Sequence, residues 1–508
     1  MYDKTVKFAP RRRLKQTYGS YNINIFRCRY GKFTIYQRYV QVFMICTGLI
    51  LLSGCRYAFF FYCYMGGIET NDTSIYPPMI NYTGLTLEGK QPTKEQWTDE
   101  KVFQVTYAFQ VGYTLCHIPA GILADFHGGK HYFALSTLSC GIFTMILPFI
   151  LKVSGFKQHL MLQFLHGVLQ GAAMPAAWSI LARWVPKSQI TVLTSLPYSC
   201  LHLGHLLSIT AASYFIMYKK FWEGTFLIWG ITIIIWYIIA IITIFSQPQA
   251  HPWVSARELQ IIEADIGNKA VSSVPWREIL EDPSIWAIIT ASSGDILLET
   301  VVALTIPDYV ESEEGYYFRR KPMLFLLPYI LQLVLLIIIS CIADRLIAKK
   351  SIETVYIRSI YTFIGTVFPS LFLLLGAYLR RYFGLAMTCF VFVTIISSFT
   401  MAGALVNVLD RTRYYAGFVK GLDNGIPTFL AYSCRLFIMG IETNPKDPKW
   451  TNIFWFNLAM GLFTTMVYLK WCKGSSANWD MVLTQLDRRL SVISQRSQLF
   501  HENEETWF

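Results

Sequence analysis

The chain has 508 residues, of which 54% are hydrophobic and only 15% are charged, and its formal net charge is +12. Soluble domains carry about 25% charged residues, so this composition argues against a soluble globular protein and indicates a polytopic helical membrane protein. The eleven cysteines contain no CxxC pair and lie mostly in apolar runs. They predict neither a disulfide framework nor a zinc site.

The basic charge is concentrated at the N-terminus. Residues 1–38 contain ten Lys or Arg and one acid, directly before the first apolar run. Basic segments beside membrane spans stay in the cytosol, and this stretch lacks the pattern of a signal peptide. We therefore expect a cytosolic N-terminus and no nucleic-acid partner.

Apolar runs predict twelve membrane-spanning helices. The run "GTFLIWGITIIIWYIIAIITIF" at 224–245 has 22 residues without a charge, and about 20 helical residues cross a bilayer. The second, fourth and fifth spans are weaker because polar residues interrupt them. The twelve spans are predicted at 40–66, 103–124, 131–152, 158–181, 190–217, 221–246, 284–306, 322–343, 354–378, 384–406, 415–440 and 451–472.

These spans predict an all-α membrane protein with two six-helix bundles. In the connection between the bundles, Ser255 and Glu258 have the spacing of a capping box before an amphipathic helix. The expected units are a basic cytosolic N-terminus at 1–38, bundles at 39–246 and 284–473, a cytosolic linker at 247–283 and a cytosolic tail at 474–508.

A repeated motif relates the two halves. The segments "ILADFHGGKH" (122–131) and "CIADRLIAKK" (341–350) each follow the second span of their half. Ala-Asp recurs in register, with Lys130 and Lys349 five residues after Asp125 and Asp344. Two related halves around a central axis are the architecture of many secondary transporters.

Several motifs resemble the major facilitator superfamily. Its loop pattern G-x-L-a-D-r-x-G-r-k matches the first repeat, and the stretches "GYTLCHIPAGILADFHGGK", "GAAMPAAWSILARWVP" and "NVLDRTRYYAGFVKGLDNG" resemble its anion–cation symporters, which include sialin, the vesicular glutamate transporters and the sodium–phosphate cotransporters. The resemblance covers about residues 38–478. It implies alternating access, with contacts that steady one access state made by Gly121, Asp125, Gly128, Lys130, Asp344, Lys349, Asn407 and Asp410.

The chain also departs from the pattern of these symporters. Arg56 in "SGCRYAFF" keeps the arginine of the first span. In the fourth span, however, Gln163 and Gln170 stand where the family has Arg and Glu. In the seventh span, Asp295 stands where the glutamate transporters have arginine, and Glu299 stands at an aromatic position.

Charged residues inside spans are the main candidates for a site. Each charge costs about 2.5–3.5 kcal/mol at the centre of a span on insertion scales and is functional by default. Arg56 lies about sixteen residues into its span, roughly 24 Å along a helix, which is too deep for snorkelling, whereas Lys420 is expected to snorkel to the cytosolic surface. Asp295 and Glu299 lie at a depth similar to that of Arg56. The alternative is that they form a structural salt bridge to Arg56.

Histidines inside spans suit proton coupling because they change charge near neutral pH. His117 is our preferred candidate because it replaces the glutamine of the family beside Pro119. His202 and His205 are spaced as two metal ligands, but no third ligand is evident, so we expect neither a metal nor another cofactor. No phosphate-binding loop or other feature indicates an enzyme.

The sequence therefore predicts a secondary active transporter for a small organic anion or inorganic phosphate, coupled to protons or sodium and acting as a monomer. One alternative is transport of an amine or zwitterion through Asp295 and Glu299. Another is a receptor-like or scaffold protein that has lost transport. The expected location is the plasma membrane or an endolysosomal or secretory vesicle membrane, with both termini in the cytosol.

The loop at 67–101 generates a first test. It contains the sequons "NDT" at Asn71 and "NYT" at Asn81, which agree with a lumenal or extracellular position. We expect glycosidase treatment of the expressed protein to lower its apparent mass on a gel. An Asn71→Gln/Asn81→Gln variant with the mass of the untreated wild type would contradict this topology.

Overall fold

The structure is a computed structural model, and it describes residues 36–66, 99–151, 155–217, 223–266, 274–314, 326–379, 381–441 and 450–480. Within these ranges, every regular element is a helix. Asn71, Asn81, most of the predicted N-terminus and most of the predicted tail lie outside the described residues.

The first half contains six spans, and the fourth of these is broken. Its two pieces meet at Ala172, because Pro175 lies in the first turn of the second piece and has no N–H to donate to the carbonyl of Gly171. The helices are α1 (Gln37–Gly66), α2 (Asp99–His127), α3 (Gly129–Leu151), α4 (Phe156–Gly171), α5 (Ala173–Trp184), α6 (Ile190–Met217) and α7 (Glu223–Thr243).

The linker and the second half follow. The predicted amphipathic helix of the linker is present as α8, and the second half again contains six spans. The helices are α8 (Ala256–Ile266), α9 (Trp276–Glu281), α10 (Pro283–Glu314), α11 (Leu326–Ala348), α12 (Thr354–Tyr378), α13 (Phe383–Ala402), α14 (Asn407–Arg411), α15 (Ala416–Ile441) and α16 (Trp450–Trp471).

The predicted fold class, twelve helices in two bundles, is confirmed. Eight helices in the described ranges are long and apolar enough by themselves to cross a membrane. The remaining four spans are α2, the α4–α5 pair, α6 and α15. All four contribute side chains to a central cavity, and these polar residues lower their hydropathy.

The linker helix is anchored to the start of α1. The Ser255 Oγ accepts a hydrogen bond from the Glu258 N–H at 3.2 Å, as the capping-box spacing predicts. The Glu258 carboxylate accepts from the backbone N–H groups of Gln37 and Arg38, both at 3.0 Å.

Before this helix, burial lowers the pKa of His251 to about 4, so its imidazole is neutral at physiological pH.

The two halves meet along two helix pairs, α2 with α15 and α6 with α11. At the first pair the backbones touch. A Cβ built on Gly121 would lie 2.4 Å from the carbonyl oxygen of Gly417. Only glycine allows this approach, which gives the motif glycine Gly121 a direct physical role.

The repeated aspartates join the halves at the end of the molecule that carries the linker. The Asp125 carboxylate accepts hydrogen bonds from the backbone N–H groups of Gly417 at 3.0 Å and Phe418 at 2.8 Å. The Asp344 carboxylate accepts from Thr191 at 2.9 Å and Val192 at 3.0 Å. In both cases the donors are the second and third residues of a helix in the opposite half, where an anion also complements the helix dipole. The linker end is therefore closed in this structure.

The other motif residues lie around this closed end. Gly128 has a φ of +91°, which favours glycine, and the Lys130 Nζ lies 4.3 Å from the centroid of the Phe245 ring. Asp410 accepts from the Arg358 Nε at 2.8 Å. The remaining two residues are Lys349, which is exposed, and Asn407, which is buried and bonds the Tyr468 hydroxyl at 3.0 Å.

Arg358 adds a third contact between the halves beside Asp344. Its guanidinium is fully buried and donates across the interface to the Thr191 Oγ1 at 3.1 Å. The ion pair with Asp410 therefore supports the closed end from within the second half.

We expect Asp125→Asn or Asp344→Asn to destabilise the closed linker end. A hydrogen bond to a charged group contributes about 1.5–3 kcal/mol, so the population that is open at this end should rise about tenfold or more. The measurement is double electron–electron resonance between spin labels attached at the exposed positions Ser188 and Lys349, in a protein whose native cysteines have been replaced. The distance between the two labels should be longer in either aspartate variant than in the protein with both aspartates.

Glu353→Gln is the matched control, because Glu353 is exposed and makes no side-chain capping bond at the start of α12. It should leave the distances unchanged. Unchanged distances in both aspartate variants would contradict the assigned role of these carboxylates.

Candidate functional site

A central cavity of about 160 Å³ lies between the two halves and is lined by residues of both. Tyr113 on its wall lies twelve residues before Asp125 on α2, roughly 18 Å along the helix. This part of the cavity wall therefore lies about three helical turns from the closed linker end. Its basic and acidic side chains are Arg56, His202, His205, Asp295, Glu299, Lys420 and Asp423.

Arg56 faces this cavity from α1 and has no acidic partner among the residues that the structure describes. Its Nε donates a hydrogen bond to the Gln170 Oε1 at 3.2 Å. Its Cζ lies 4.7 Å from the ring centroid of Phe109 and 4.4 Å from that of Tyr113. Aromatic faces attract a guanidinium without neutralising it, so its positive charge remains available to a ligand.

The structural salt bridge between the first and seventh spans, which the sequence left open as the alternative, is not formed. Across the described ranges, Arg56 makes no ion pair with Asp295 or Glu299. The reason is that Gln170 holds the guanidinium within the first half. The Gln170 Nε2 donates to the carbonyl oxygen of Leu52 at 2.7 Å, which directs its oxygen toward Arg56.

Gln163 lies seven residues, or about two helical turns, before Gln170 on α4 and also lines the cavity. Its Nε2 is buried and has no hydrogen-bond partner in the described part of the chain. The two glutamines that replace the charged residues of the family therefore differ in role. Gln170 positions Arg56, whereas Gln163 keeps an unused donor beside the cavity.

Asp295 faces the cavity from α10 and is only 3% exposed. No residue of the described ranges donates a hydrogen bond to its carboxylate or forms an ion pair with it. An isolated buried carboxylate is strongly unfavourable. Asp295 therefore stands out as an unmatched negative charge within the same cavity as Arg56.

Glu299, one turn further along α10, has a partner in the other half. The His202 Nε2 lies 2.9 Å from the Glu299 Oε1. The His202 Nδ1 lies 3.1 Å from the Gln332 Oε1. His202 thus connects α6 of the first half to α10 and α11 of the second.

The hydrogen bonds around His202 fix where its protons lie. The Ser397 Oγ donates to the Thr394 carbonyl at 2.9 Å, so it accepts from the Gln332 Nε2 at 3.0 Å. The oxygen of the Gln332 amide therefore faces His202, and the His202 Nδ1 must carry a proton. The contact with Glu299 then needs a second proton, held on Nε2 or on the carboxylate.

Lys420 is not at the surface, so the prediction that it snorkels is wrong. Its side chain is 1% exposed and its Nζ lies 2.6 Å from the Asp423 Oδ2. The same Nζ donates to the Tyr198 hydroxyl at 2.7 Å, and the Asp423 Oδ1 accepts from Ser292 at 2.6 Å. A spacing of three residues on one helix allows this pairing, and the pair carries no net charge.

His117 is fully buried between α2 and α15 and is not among the residues that line the cavity. Its Nδ1 donates to the Tyr113 carbonyl at 2.6 Å, and its Nε2 lies 2.7 Å from the Asn424 Nδ2. Because the amide nitrogen is a donor, the Nε2 accepts and the ring is neutral. A proton-coupling role for His117 stays a prediction.

Sequence reasoning named His202 among the histidines inside spans but did not relate it to Glu299. The available signal was that His202 and Gln332 are polar residues in otherwise apolar spans, but nothing in their spacing relates them to Glu299. His205, three residues later, stacks on Tyr57 with ring centroids 3.5 Å apart. In the residues that the structure describes, no group of three or more His, Cys, Asp or Glu could hold a metal ion.

Comparison with known proteins agrees with this architecture. Human sialin is 26% identical over 417 residues, covering 82% of this chain and 84% of sialin. Vesicular glutamate transporter 3 of Danio rerio is 23% identical over 475 residues, covering 92% of this chain and 78% of that protein.

A solved structure supports the fold. The proton:xylose symporter XylE bound to 6-bromo-6-deoxy-D-glucose has a TM-score of 0.62 at 12% identity, covering 86% of this chain and 98% of that one. Residues 58–431 match the sequence profile of the Major Facilitator Superfamily. Together with the two bundles and their repeated aspartates, this match shows that the chain belongs to the major facilitator superfamily.

Proposed function

We propose that the protein is a secondary active transporter that moves a small organic anion or inorganic phosphate by alternating access. The observation that carries this proposal is the unmatched charge of Arg56 on the wall of the central cavity. A relative that is a vesicular glutamate transporter supports an anionic solute.

Arg56 is suited to bind an oxyanion. Inside a bundle the effective dielectric constant is lower than in water, so a fixed cation attracts an anion more strongly. The guanidinium presents paired N–H donors that match a carboxylate or phosphate. Gln170 occupies the Nε and the Tyr113 side chain also interacts with the guanidinium, so an oxyanion would bind the N–H groups that these two contacts leave.

Alternating access fits the arrangement of the two halves. The carboxylates of Asp125 and Asp344 close the linker end, and the two hydrogen bonds that each accepts must break before the cavity can open there. We propose that this end is cytosolic, since α1 begins there, bonded to the linker helix, and the sequence before α1 is strongly basic. The membrane would be the plasma membrane or that of an endolysosomal or secretory vesicle.

Replacement of Arg56 tests the anion site. Arg56→Gln should reduce uptake of tracer organic anions or phosphate into proteoliposomes by about 10- to 100-fold, because a hydrogen-bonded charge contributes about 1.5–3 kcal/mol. Arg56→Lys should not restore uptake, since an ammonium group lacks the paired donors.

Arg277→Gln is the matched control, because Arg277 is exposed and pairs with Glu281 outside the bundle. It should transport normally. Normal uptake by Arg56→Gln would remove Arg56 from the site. Absence of uptake by the wild type for every anion and amine would instead support the non-transporting alternative.

We further propose that protons are the coupling ion and that they bind at Glu299 and His202. With Nδ1 fixed as a donor, loss of the second proton leaves the lone pair of Nε2 facing the carboxylate of Glu299. These two acceptors repel each other. Release of this proton therefore breaks a contact between the halves, which links proton occupancy to the access state.

Glu299→Gln tests this coupling. The amide keeps a hydrogen bond to the His202 Nε2 but takes up no proton at neutral pH. Exchange of substrate across the membrane should therefore persist, while net uptake no longer responds to an imposed pH gradient.

His131→Gln serves as the control, because His131 is an exposed histidine on α3 and does not line the cavity. Its uptake should still follow the pH gradient. If uptake by Glu299→Gln retains the pH dependence of the wild type, Glu299 and His202 are a structural contact only.

A further inference from the structure

The central cavity contains one unmatched negative charge in addition to the unmatched positive charge of Arg56. Asp295 is 3% exposed and lines the cavity. It neither accepts a hydrogen bond nor forms an ion pair within the described ranges. A buried carboxylate in this state requires either a proton or a cation.

The nearby cationic groups of the protein are already paired. The Lys420 Nζ lies 2.6 Å from Asp423 and is therefore neutralised on its own helix. His202 lies 2.9 Å from Glu299. Neither group is available to Asp295, so no residue in the part of the chain that the structure describes supplies the missing positive charge.

The resulting cavity is neutral overall but dipolar. Lys420 cancels Asp423, and the shared proton makes His202 and Glu299 a neutral pair. Arg56 on the first half and Asp295 on the second half remain. A simple anion would leave Asp295 unmatched, and a simple amine would leave Arg56 unmatched, whereas a molecule with both charges satisfies both walls.

We infer that the substrate is a small zwitterion whose carboxylate binds Arg56 and whose ammonium group binds Asp295. This inference rests on the proposed function, because it keeps the carboxylate that Arg56 binds, and it adds an ammonium group to the solute. It also gives each half of the protein one charged contact to the solute. A zwitterion therefore bridges the two bundles, which suits a solute that rearranges them.

The test uses ω-amino carboxylates of two to six carbons, each compared with the plain carboxylate and the plain amine of the same length. Competition for binding is measured on the purified full-length protein in detergent. At the best length the wild type should bind the amino carboxylate at least tenfold more tightly than either plain compound. That length also measures the separation of the two charges.

Asp295→Asn should lose at least tenfold in affinity for the amino carboxylate and keep its affinity for the plain carboxylate. The retained affinity shows that the variant is folded. Ser293→Ala is the control on the same helix, because the Ser293 hydroxyl bonds only the carbonyl of Ile289. It should bind all compounds like the wild type.

Failure of this inference is distinguishable from failure of the proposed function. If the wild type prefers plain carboxylates and Arg56→Gln loses them, the zwitterion is wrong and the anion site stands. If Asp295→Asn keeps the preference for amino carboxylates but changes its pH dependence, Asp295 binds a proton and the inference is overturned. If Arg56→Gln binds carboxylates normally, the proposed function fails, whatever the result at Asp295.

Discussion

The interior of a membrane bundle does not tolerate an ionised side chain unless something compensates its charge, and this constraint organises the cavity. The charge of Lys420 is compensated by Asp423, and the charge of Glu299 is compensated by His202. For Arg56 and Asp295, no residue that the structure describes provides the opposite charge. The charges left unmatched are therefore the ones assigned to the solute, and the matched ones are assigned to stability and proton coupling.

The same electrostatic principle holds the closed end together. Asp125 and Asp344 are placed at the start of a helix in the opposite half, where free N–H groups and the helix dipole favour an anion. These hydrogen bonds stabilise the state that is closed at the linker end. Each depends on one carboxylate at the surface between the halves, so it can break when the halves move apart. The His202–Glu299 contact crosses the same interface, so the proton that we propose to bind there would relate chemistry in the cavity to movement of the halves.

Polarity within the spans has a further consequence. The helices α2, α4, α5, α6 and α15 carry many of the polar residues of the cavity wall, and α2 and α15 also form the glycine contact at Gly121. These polar residues lower the hydropathy of those spans. The apolar spans α1 and α10 also line the cavity and supply Arg56, Asp295 and Glu299, so single charges within apolar spans and low hydropathy both point to the site.

The sequence by itself determined the class of fold and part of the site. Apolar run length is a local property, so the spans, the two halves and the repeated Asp125 and Asp344 were readable from it, as was the depth of Arg56, Asp295 and Glu299. Only the tertiary structure decided the partners. Arg56 bonds Gln170 rather than an acid, Lys420 bonds Asp423 rather than reaching the surface, and Glu299 is paired with His202. These pairings depend on how each helix is rotated and how deeply it sits against helices distant in the chain, and residue spacing within one span does not fix either quantity.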